Sequence, residues 1–295
     1  MRVLIIGYGV QGKKRREVAG DDVVGIVDPV APEAQYRHLE DVSRDAYDIA
    51  LLSVPDEEKG ALLNILLSAK KPTLVEKPLL FKTKEAEKNL LALSKETLCY
   101  TAYNHRFEPH VQKIQTLLQE KAIGKVYALH LFYGNGTAAN VRASNWRDQG
   151  LGVVKDLGSH LLDMLLYWDP HFRERQFSRV VHNCFENKAP DHAILQSTGS
   201  PYAHLTMMLV SWQNTFTVDI WGEKGSIHLN GLCKWGPSVL TLRHRVLPSG
   251  KPTAETWRLE EPDNSWAAEY RHFLSLIKTK SSNTLNDVWI EKQLC

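Results

Sequence analysis

Two short stretches of this 295-residue chain carry side chains able to move protons. One is Glu76-Lys77-Pro78 and the other is Asp156-Leu157-Gly158-Ser159-His160-Leu161-Leu162-Asp163. Lys77 precedes a proline, whose ring restricts the local backbone and favours a fixed position. An ammonium held there can donate to a hydroxyl or carbonyl oxygen and stabilise an alkoxide. The competing assignment is a surface lysine in a turn. Asp156 and His160 are four residues apart and share a helical face, with Asp163 three further on. A carboxylate beside an imidazole orients the ring and strengthens it as a general base. The competing assignment has Asp156 or Ser159 capping a helix and His160 as a satisfied interior histidine. A metal on Asp156, His160 and Asp163 fits poorly, because one short helix rarely completes a coordination sphere. No metal is expected.

A third stretch binds rather than reacts. It reads Gly7-Tyr8-Gly9-Val10-Gln11-Gly12, after an apolar run at 3–6 and before a second run at 23–27 that ends in Asp28. Glycines at this spacing between a strand and a helix mark a dinucleotide site. Gly7 permits the tight turn, Gly9 leaves room for a pyrophosphate against backbone, and Gly12 lets the helix pack on the strand. The helix N-terminus then presents N–H groups to the phosphates. Asp28 can accept ribose hydroxyls and repels a 2′-phosphate, so NAD is expected, with NADP not excluded. Lys13-Lys14-Arg15-Arg16 reads as a solvated helix face beside that loop. Arg106 either holds an anionic or polyhydroxyl substrate or forms a structural ion pair.

These residues need a scaffold, and the chain supplies one in two styles. The first third alternates strand and helix signals. Strands are expected at 49–54, 73–75 and 98–102, and helices at 57–69 and 83–94. This rhythm predicts a doubly wound parallel sheet, whose ligands bind at the carboxyl ends of the strands. Gly7, Asp28, Ser53, Glu76 and Asn104 all fall there. Few residues separate Gly12 from Val23 and Asp28 from Ile49, so a trimmed crossover is expected. After a helix over 109–121, strands recur near 125–133, 180–185, 193–197, 203–211, 215–221, 226–229 and 239–247. Only the helix at 157–168 falls among them. That pattern predicts a large, mainly antiparallel open sheet, closed by a helix over 264–278. The expected fold is thus α/β, with a dinucleotide-binding domain at 1–120 and an α+β substrate and oligomerisation domain at 121–295.

Composition narrows the class further. Hydrophobic residues make up 43% and the net charge is +2, so no strong field points to nucleic acid or an anionic membrane. The four cysteines form no metal-site spacing and suit a reducing cytoplasm. No apolar run approaches the length of a membrane span. No Gly-Lys-Ser/Thr follows a glycine loop and no Gly-x-Ser-x-Gly elbow occurs, which argues against an NTPase and an α/β-hydrolase.

In their order and spacing these pieces resemble the glucose–fructose oxidoreductase and inositol dehydrogenase group, the Gfo/Idh/MocA family. The resemblance is carried by the glycine loop, Ser53-Val54-Pro55, Glu76-Lys77-Pro78, Tyr103-Asn104-His105-Arg106-Phe107, Trp146-Arg147 and the Asp156–Asp163 stretch. It implies an NAD(P)-dependent oxidoreductase acting by hydride transfer on a hydroxyl or carbonyl of a sugar, sugar nucleotide or cyclic polyol. By that likeness Lys77 contacts the reacting oxygen, and His160, paired with Asp156, is the acid/base. Tyr8, Val10, Gln11, Ser53, Val54, Pro55, Glu76 and Asn104 line the cofactor, while Arg106, Trp146 and Arg147 approach the substrate. A homo-oligomer formed through the C-terminal sheet is also implied. Two other functions share the architecture: a non-catalytic NAD(P)-binding sensor, and a reductase of a non-sugar ring such as a linear tetrapyrrole. The chain departs from the family at Lys59, where many members carry histidine, and in the short segments on either side of Asp28.

Overall fold

The computed structural model describes residues 1–144 and 147–294. They divide into two compact units: 1–104 with 265–291, and the described residues of 105–264 with 292–294.

The first unit is built on four- and five-residue apolar strands, short enough to be buried on both faces. They are β1 (Val3–Ile6), β2 (Val23–Val27), β3 (Ile49–Leu52), β4 (Thr73–Glu76) and β5 (Cys99–Ala102), all parallel, in the order β2-β1-β3-β4-β5. Alternate residues feed two cores. Leu4, Ile6, Leu52 and Val75 pack with Leu63, Leu66 and Leu67 of α2 (Asp56–Ser68) and Leu90 of α3 (Lys84–Glu96). Val3, Ile5, Leu51, Leu74 and Tyr100 pack with Ala19 of α1 (Val10–Ala19) and with Tyr270 and Phe273. The last two lie on Ser265–Leu276, the helix that the sequence reading assigned to the second domain. Its apolar stripe covers the parallel sheet instead, and the chain changes unit at residue 104 rather than near 120.

In sheets of this strand order the ligand crevice opens between β1 and β3, where the winding direction reverses. The trimmed crossover after Asp28 is present. Two 3₁₀ turns, Leu39–Asp41 and Arg44–Ala46, and one isolated parallel bridge from Val27 to Tyr36 replace a helix and a strand.

In the second unit, α4 (Pro109–Gln119) leads into β6 (Val126–Gly134) of an eight-stranded sheet. The other strands are β7 (Phe177–Asn183), β8 (His192–Ser197), β9 (Tyr202–Met208), β10 (Thr215–Gly222), β11 (Gly225–Asn230), β12 (Ser238–Val246) and β13 (Gly250–Leu259). The order is β13-β12-β11-β10-β6-β9-β8-β7, antiparallel except where β6 meets β9. Leu129, Leu131, Leu205, Met207, Phe216, Val218 and Ile220 are buried on one face of it, and Leu161, Leu162, Met164 and Leu165 of α6 (Ser159–Trp168) are buried too.

Three elements have no counterpart in the sequence reading: the short α5 (Ala138–Arg142), β13, and a helix over Thr284–Leu294. β13 is an exposed edge strand, so no buried face imposes alternation on it. The terminal helix buries Val288, Trp289 and Ile290 while Leu285 is exposed, so no clean stripe shows in its sequence. Among the described residues no helix is long and apolar enough to cross a membrane.

Candidate active site

The glycine loop behaves as its spacing demands. Gly7 ends β1 with φ at +84°, and a Cβ there would sit 2.3 Å from the Ser53 carbonyl oxygen at the end of β3. A Cβ on Gly12 would lie 2.0 Å from the Gly7 oxygen. At Gly9 a Cβ would meet nothing within 4 Å. Two glycines are therefore fixed by the fold, while the middle one borders open space. Val10 is 75% exposed and Gln11 is also exposed, so the first turn of α1 is open to an anion. Ser53 Oγ, buried at the β3 tip, has no hydrogen-bond partner among the described residues. An open backbone cradle beside an orphaned hydroxyl fits a dinucleotide pyrophosphate.

Asp28 is already engaged. Its Oδ2 accepts from the Tyr8 N–H at 2.7 Å, and its Oδ1 from Val30 and Ala31 at 2.9 and 2.7 Å. Burial disfavours its charge, but these three N–H groups and nearby Arg37 outweigh burial and hold the carboxyl below its usual range. A carboxylate offers about four acceptor sites, and three are taken. The Arg37 guanidinium caps the loop by donating to the Asp28 and Ala31 carbonyls.

Glu76 is likewise held from within. Arg15, 1% exposed, donates to Glu76 Oε1 through Nε at 2.7 Å and to Glu269 Oε2 through Nη1 at 2.7 Å. Its guanidinium also stacks 4.3 Å from the Trp266 ring. Burial opposes the charge on Arg15, and the two carboxylates more than restore it. The basic run is therefore not a uniformly solvated face, since its third member points inward. Lys77 follows at the strand tip, half-buried, with a cis bond to Pro78. Lys59, the family departure, is buried beneath that turn and donates to Asp56 Oδ1 at 2.7 Å and the Pro78 carbonyl at 2.8 Å. Burial pulls the Lys59 ammonium down, against the pull of Asp56 and Glu76. Asn104 donates to Ser265 Oγ at 2.8 Å. Val54 and Pro55 lead from β3 into α2, with Pro55 at the helix cap.

In the second unit, a single π-helical turn (Val154–Gly158) precedes α6. Such turns re-aim side chains and recur at functional sites. Asp156 lies in it, with Oδ2 3.3 Å from Arg147 Nη2. His160, 8% exposed, stacks on His105, with centroids 4.0 Å apart and planes at 16°. Tyr133 flanks both rings, its centroid 5.4 Å from His105 and 6.0 Å from His160. Burial drives the Tyr133 hydroxyl's pKa upward, so it stays protonated. Arg106 forks onto Asp163, with Nε 2.6 Å from Oδ2 and Nη2 on Oδ1, and lies 5.5 Å from the Tyr167 ring. Burial raises the Asp163 carboxyl, and Arg106 opposes this. The side chain three residues beyond His160 is thus the partner of Arg106. Trp146 lies outside the described residues.

The structure therefore gathers Gly7, Gly9, Gly12, Asp28 and Ser53 at one sheet edge, and His160 and Tyr133 on one face of the second unit. His105 and Lys234, which lies 2.6 Å from it, join that second group without having been singled out. The Tyr103–Phe107 motif contains His105, but nothing in the sequence marks Lys234.

Residues 111–228 match the family model for the GFO/IDH/MocA C-terminal domain. The matched stretch lies within the second unit. The family resemblance carried by the motifs is thereby met. A bovine (Bos taurus) trans-1,2-dihydrobenzene-1,2-diol dehydrogenase is 25% identical over 219 residues, covering 72% of this chain and 64% of that protein. The match thus spans under two thirds of that relative's length. Levoglucosan dehydrogenase in complex with NADH superposes with a TM-score of 0.81 at 18% identity, over 100% of this chain and 94% of that one. A 3-ketoreductase from Actinomadura kijaniata in complex with TDP-benzene and NADP superposes at 0.76 with 17% identity, over 100% and 95%. At such identities the likeness to these structures is one of fold.

Proposed function

We propose that this chain is an NAD(P)-dependent oxidoreductase that interconverts a hydroxyl and a carbonyl on a sugar, sugar nucleotide or cyclic polyol. The observation that carries this reading is the glycine cradle between β1 and β3. It is sterically locked at Gly7 and Gly12 and open at Gly9. The dehydrogenase relative and the NADH and NADP complexes of the fold neighbours support the same reading. A bound nicotinamide supplies the hydride acceptor or donor.

The chain's own residues do the rest. Gly9, Val10, Gln11 and the N-terminus of α1 hold the phosphates, and Ser53 Oγ gains its missing partner. Tyr8, Val54, Pro55, Glu76 and Asn104 complete the cofactor surface. Lys77 donates to the reacting oxygen and steadies its negative charge. His160 takes the hydroxyl proton on a ring nitrogen, with Asp156 orienting it. Arg147 and Trp146 approach the substrate, and Arg106 shapes that surface through Asp163. General acid–base work of this kind contributes about 10²–10⁴-fold. NAD is the expected cofactor, and Arg37 beside Asp28 is the residue that would admit the 2′-phosphate of NADP. The protein is taken to be cytoplasmic and to associate with itself through the outer face of the eight-stranded sheet.

The test is a panel of sugars, sugar nucleotides and inositols with NAD and NADP in parallel, followed by nicotinamide absorbance. On the substrate so found, Lys77→Ala and His160→Ala each lower kcat by about 10²-fold or more while cofactor affinity stays within about threefold. Wild-type turnover in both variants refutes the mechanism.

A further inference from the structure

A polar cluster in the second unit, buried at His105 and Glu108 and half-buried at Lys234, has no role so far. Lys234 lies in the turn Cys233–Trp235, and its Nζ is 2.6 Å from Nε2 of His105. An ammonium has three donors and no acceptor, so Nε2 must supply a lone pair. The ring proton of His105 is then on Nδ1, and the ring is neutral. Two neighbours favour the ammonium form of Lys234. Burial raises the Glu108 carboxyl while attraction to Lys234 draws it back down, and the Trp235 ring lies 4.3 Å from Nζ. Glu108 is itself fixed, with Oε2 accepting from the Cys233 N–H at 3.1 Å.

His105 is also the ring stacked on His160. Two imidazoles at that separation cannot both be protonated cheaply, because like charges in contact repel strongly in a buried site. Left to itself, such a pair takes up its first proton on either ring and titrates as a coupled unit. The charged groups around it are Lys234 and Glu108 on one side, with Glu261 and Asp263 acting on Glu108 or Cys233 from the following segment. From α6 comes Asp163, neutralised by Arg106, and from the π-turn comes Asp156 with Arg147. Tyr133 closes the ring edges with a hydroxyl that stays neutral.

We infer that Lys234 is a positioning residue: by occupying Nε2 of His105 it removes that ring as a proton acceptor, so the stacked pair takes up its proton on His160 alone. The ammonium, one ring beyond His160, also disfavours an imidazolium there and keeps His160 ready to accept. That His160 needs this readiness rests on the proton-transfer reading above; the tautomer assignment does not.

The experiment is a pH titration of the ¹⁵N-histidine-labelled full chain, with ring signals assigned through His105→Gln and His160→Gln. In the wild type, His105 keeps a single Nδ1–H tautomer between about pH 5.5 and 9 while His160 titrates by itself. In Lys234→Met, His105 also titrates, and the first proton enters the pair about one pH unit higher. Lys234→Arg restores the wild-type pattern. On an identified substrate, the acidic limb of kcat/KM moves up with it in Lys234→Met. A wild-type His105 that titrates within this range or carries its proton on Nε2 overturns the proposal. So do unchanged titrations in Lys234→Met. The wild-type tautomer decides even if Lys234→Met does not fold. A chain that oxidises no polyol yet shows these ring signals keeps the inference and loses the proposed activity.

Discussion

The two candidate sites are built from different material. In the first unit the candidate surface is backbone: a glycine turn, the open start of α1 and N–H groups. The side chains expected to line it serve largely as internal ties. Asp28 accepts three N–H groups, Glu76 accepts Arg15, and Asn104 reaches Ser265. In the second unit the candidate surface is side chain: two stacked imidazoles, a tyrosine, and an ammonium 129 positions away in sequence. A backbone site tolerates changes of side chain but not of Cβ. A side-chain site is the reverse.

The sharpest break of that contrast is at the glycines. Gly7→Ala combines a left-handed φ with a Cβ 2.3 Å from a carbonyl oxygen, and Gly12→Ala puts one 2.0 Å from another. Each is expected to lower stability by about 3 kcal/mol or more, measured by urea denaturation. Gly9→Ala has open space and ordinary backbone (φ −71°), so its stability stays within about 1 kcal/mol of wild type. Its dinucleotide affinity, measured by calorimetry, nevertheless drops by about tenfold or more because the new methyl group stands where phosphate approaches. A Gly9→Ala chain that binds NAD and NADP as well as wild type removes the backbone cradle from the account.

Next in size is the tie that spans the first unit. Arg15 joins α1, the tip of β4 and the helix over Ser265–Leu276 through two carboxylates, of which Glu269 is fully buried. Arg15→Met removes the guanidinium from both and is expected to cost about 3–5 kcal/mol in the same denaturation assay. A loss below about 1 kcal/mol would show that the triad does not hold these elements together.

What was legible in the sequence follows the same division. Glycine spacing is a local requirement of a strand–turn–helix, so Gly7, Gly9 and Gly12 announce themselves, as do the apolar runs of the parallel sheet. The inward turn of Arg15 was hidden, because a four-residue basic run looks solvated until Trp266 and two carboxylates are brought to it. The helix at Ser265–Leu276 showed its stripe but not which sheet the stripe covers. Lys234 carries no local pattern at all. Its meaning comes only from the turn after β11 reaching His105.

Arg106 and Asp163 give the counterpart in the second unit, at a smaller scale because Arg106 retains 14% side-chain exposure. Arg106→Met is expected to cost about 2–4 kcal/mol at neutral pH. Asp163 already has its carboxyl raised by burial, and losing the guanidinium raises it further. A folded-state pKa above the unfolded value means the folded form holds the extra proton. Stability therefore falls as pH rises from the unfolded value of about 4 through the folded one. The deficit of Arg106→Met should accordingly shrink as pH is lowered from 7 toward 4.5. A deficit constant across that range would mean that Asp163 is not the group left exposed to the loss.

The smallest effect expected is at Asp28, and its sign is opposite. Here the folded state lowers the carboxyl below its usual value, the three N–H donors outweighing burial. Such a group contributes stability above the unfolded value of about 4, and loses it as pH falls through the lower folded value. Asp28→Asn keeps one carbonyl oxygen for the loop but not the charge. It should therefore be about 1 kcal/mol less stable than wild type at pH 7. The difference should close as pH falls through the depressed folded-state value, where wild-type Asp28 itself becomes protonated. Urea midpoints for the two proteins between pH 7 and pH 2.5 measure this directly. Curves that run parallel to the acid end would place the stabilising charge somewhere other than Asp28. The same variant separates two uses of the carboxylate. If the residual acceptor site on Asp28 serves a ribose hydroxyl, NAD affinity falls in Asp28→Asn beyond what the small stability change explains. If the carboxylate serves only the loop, NAD affinity holds while NADP affinity rises, because a negative charge next to Arg37 has been removed.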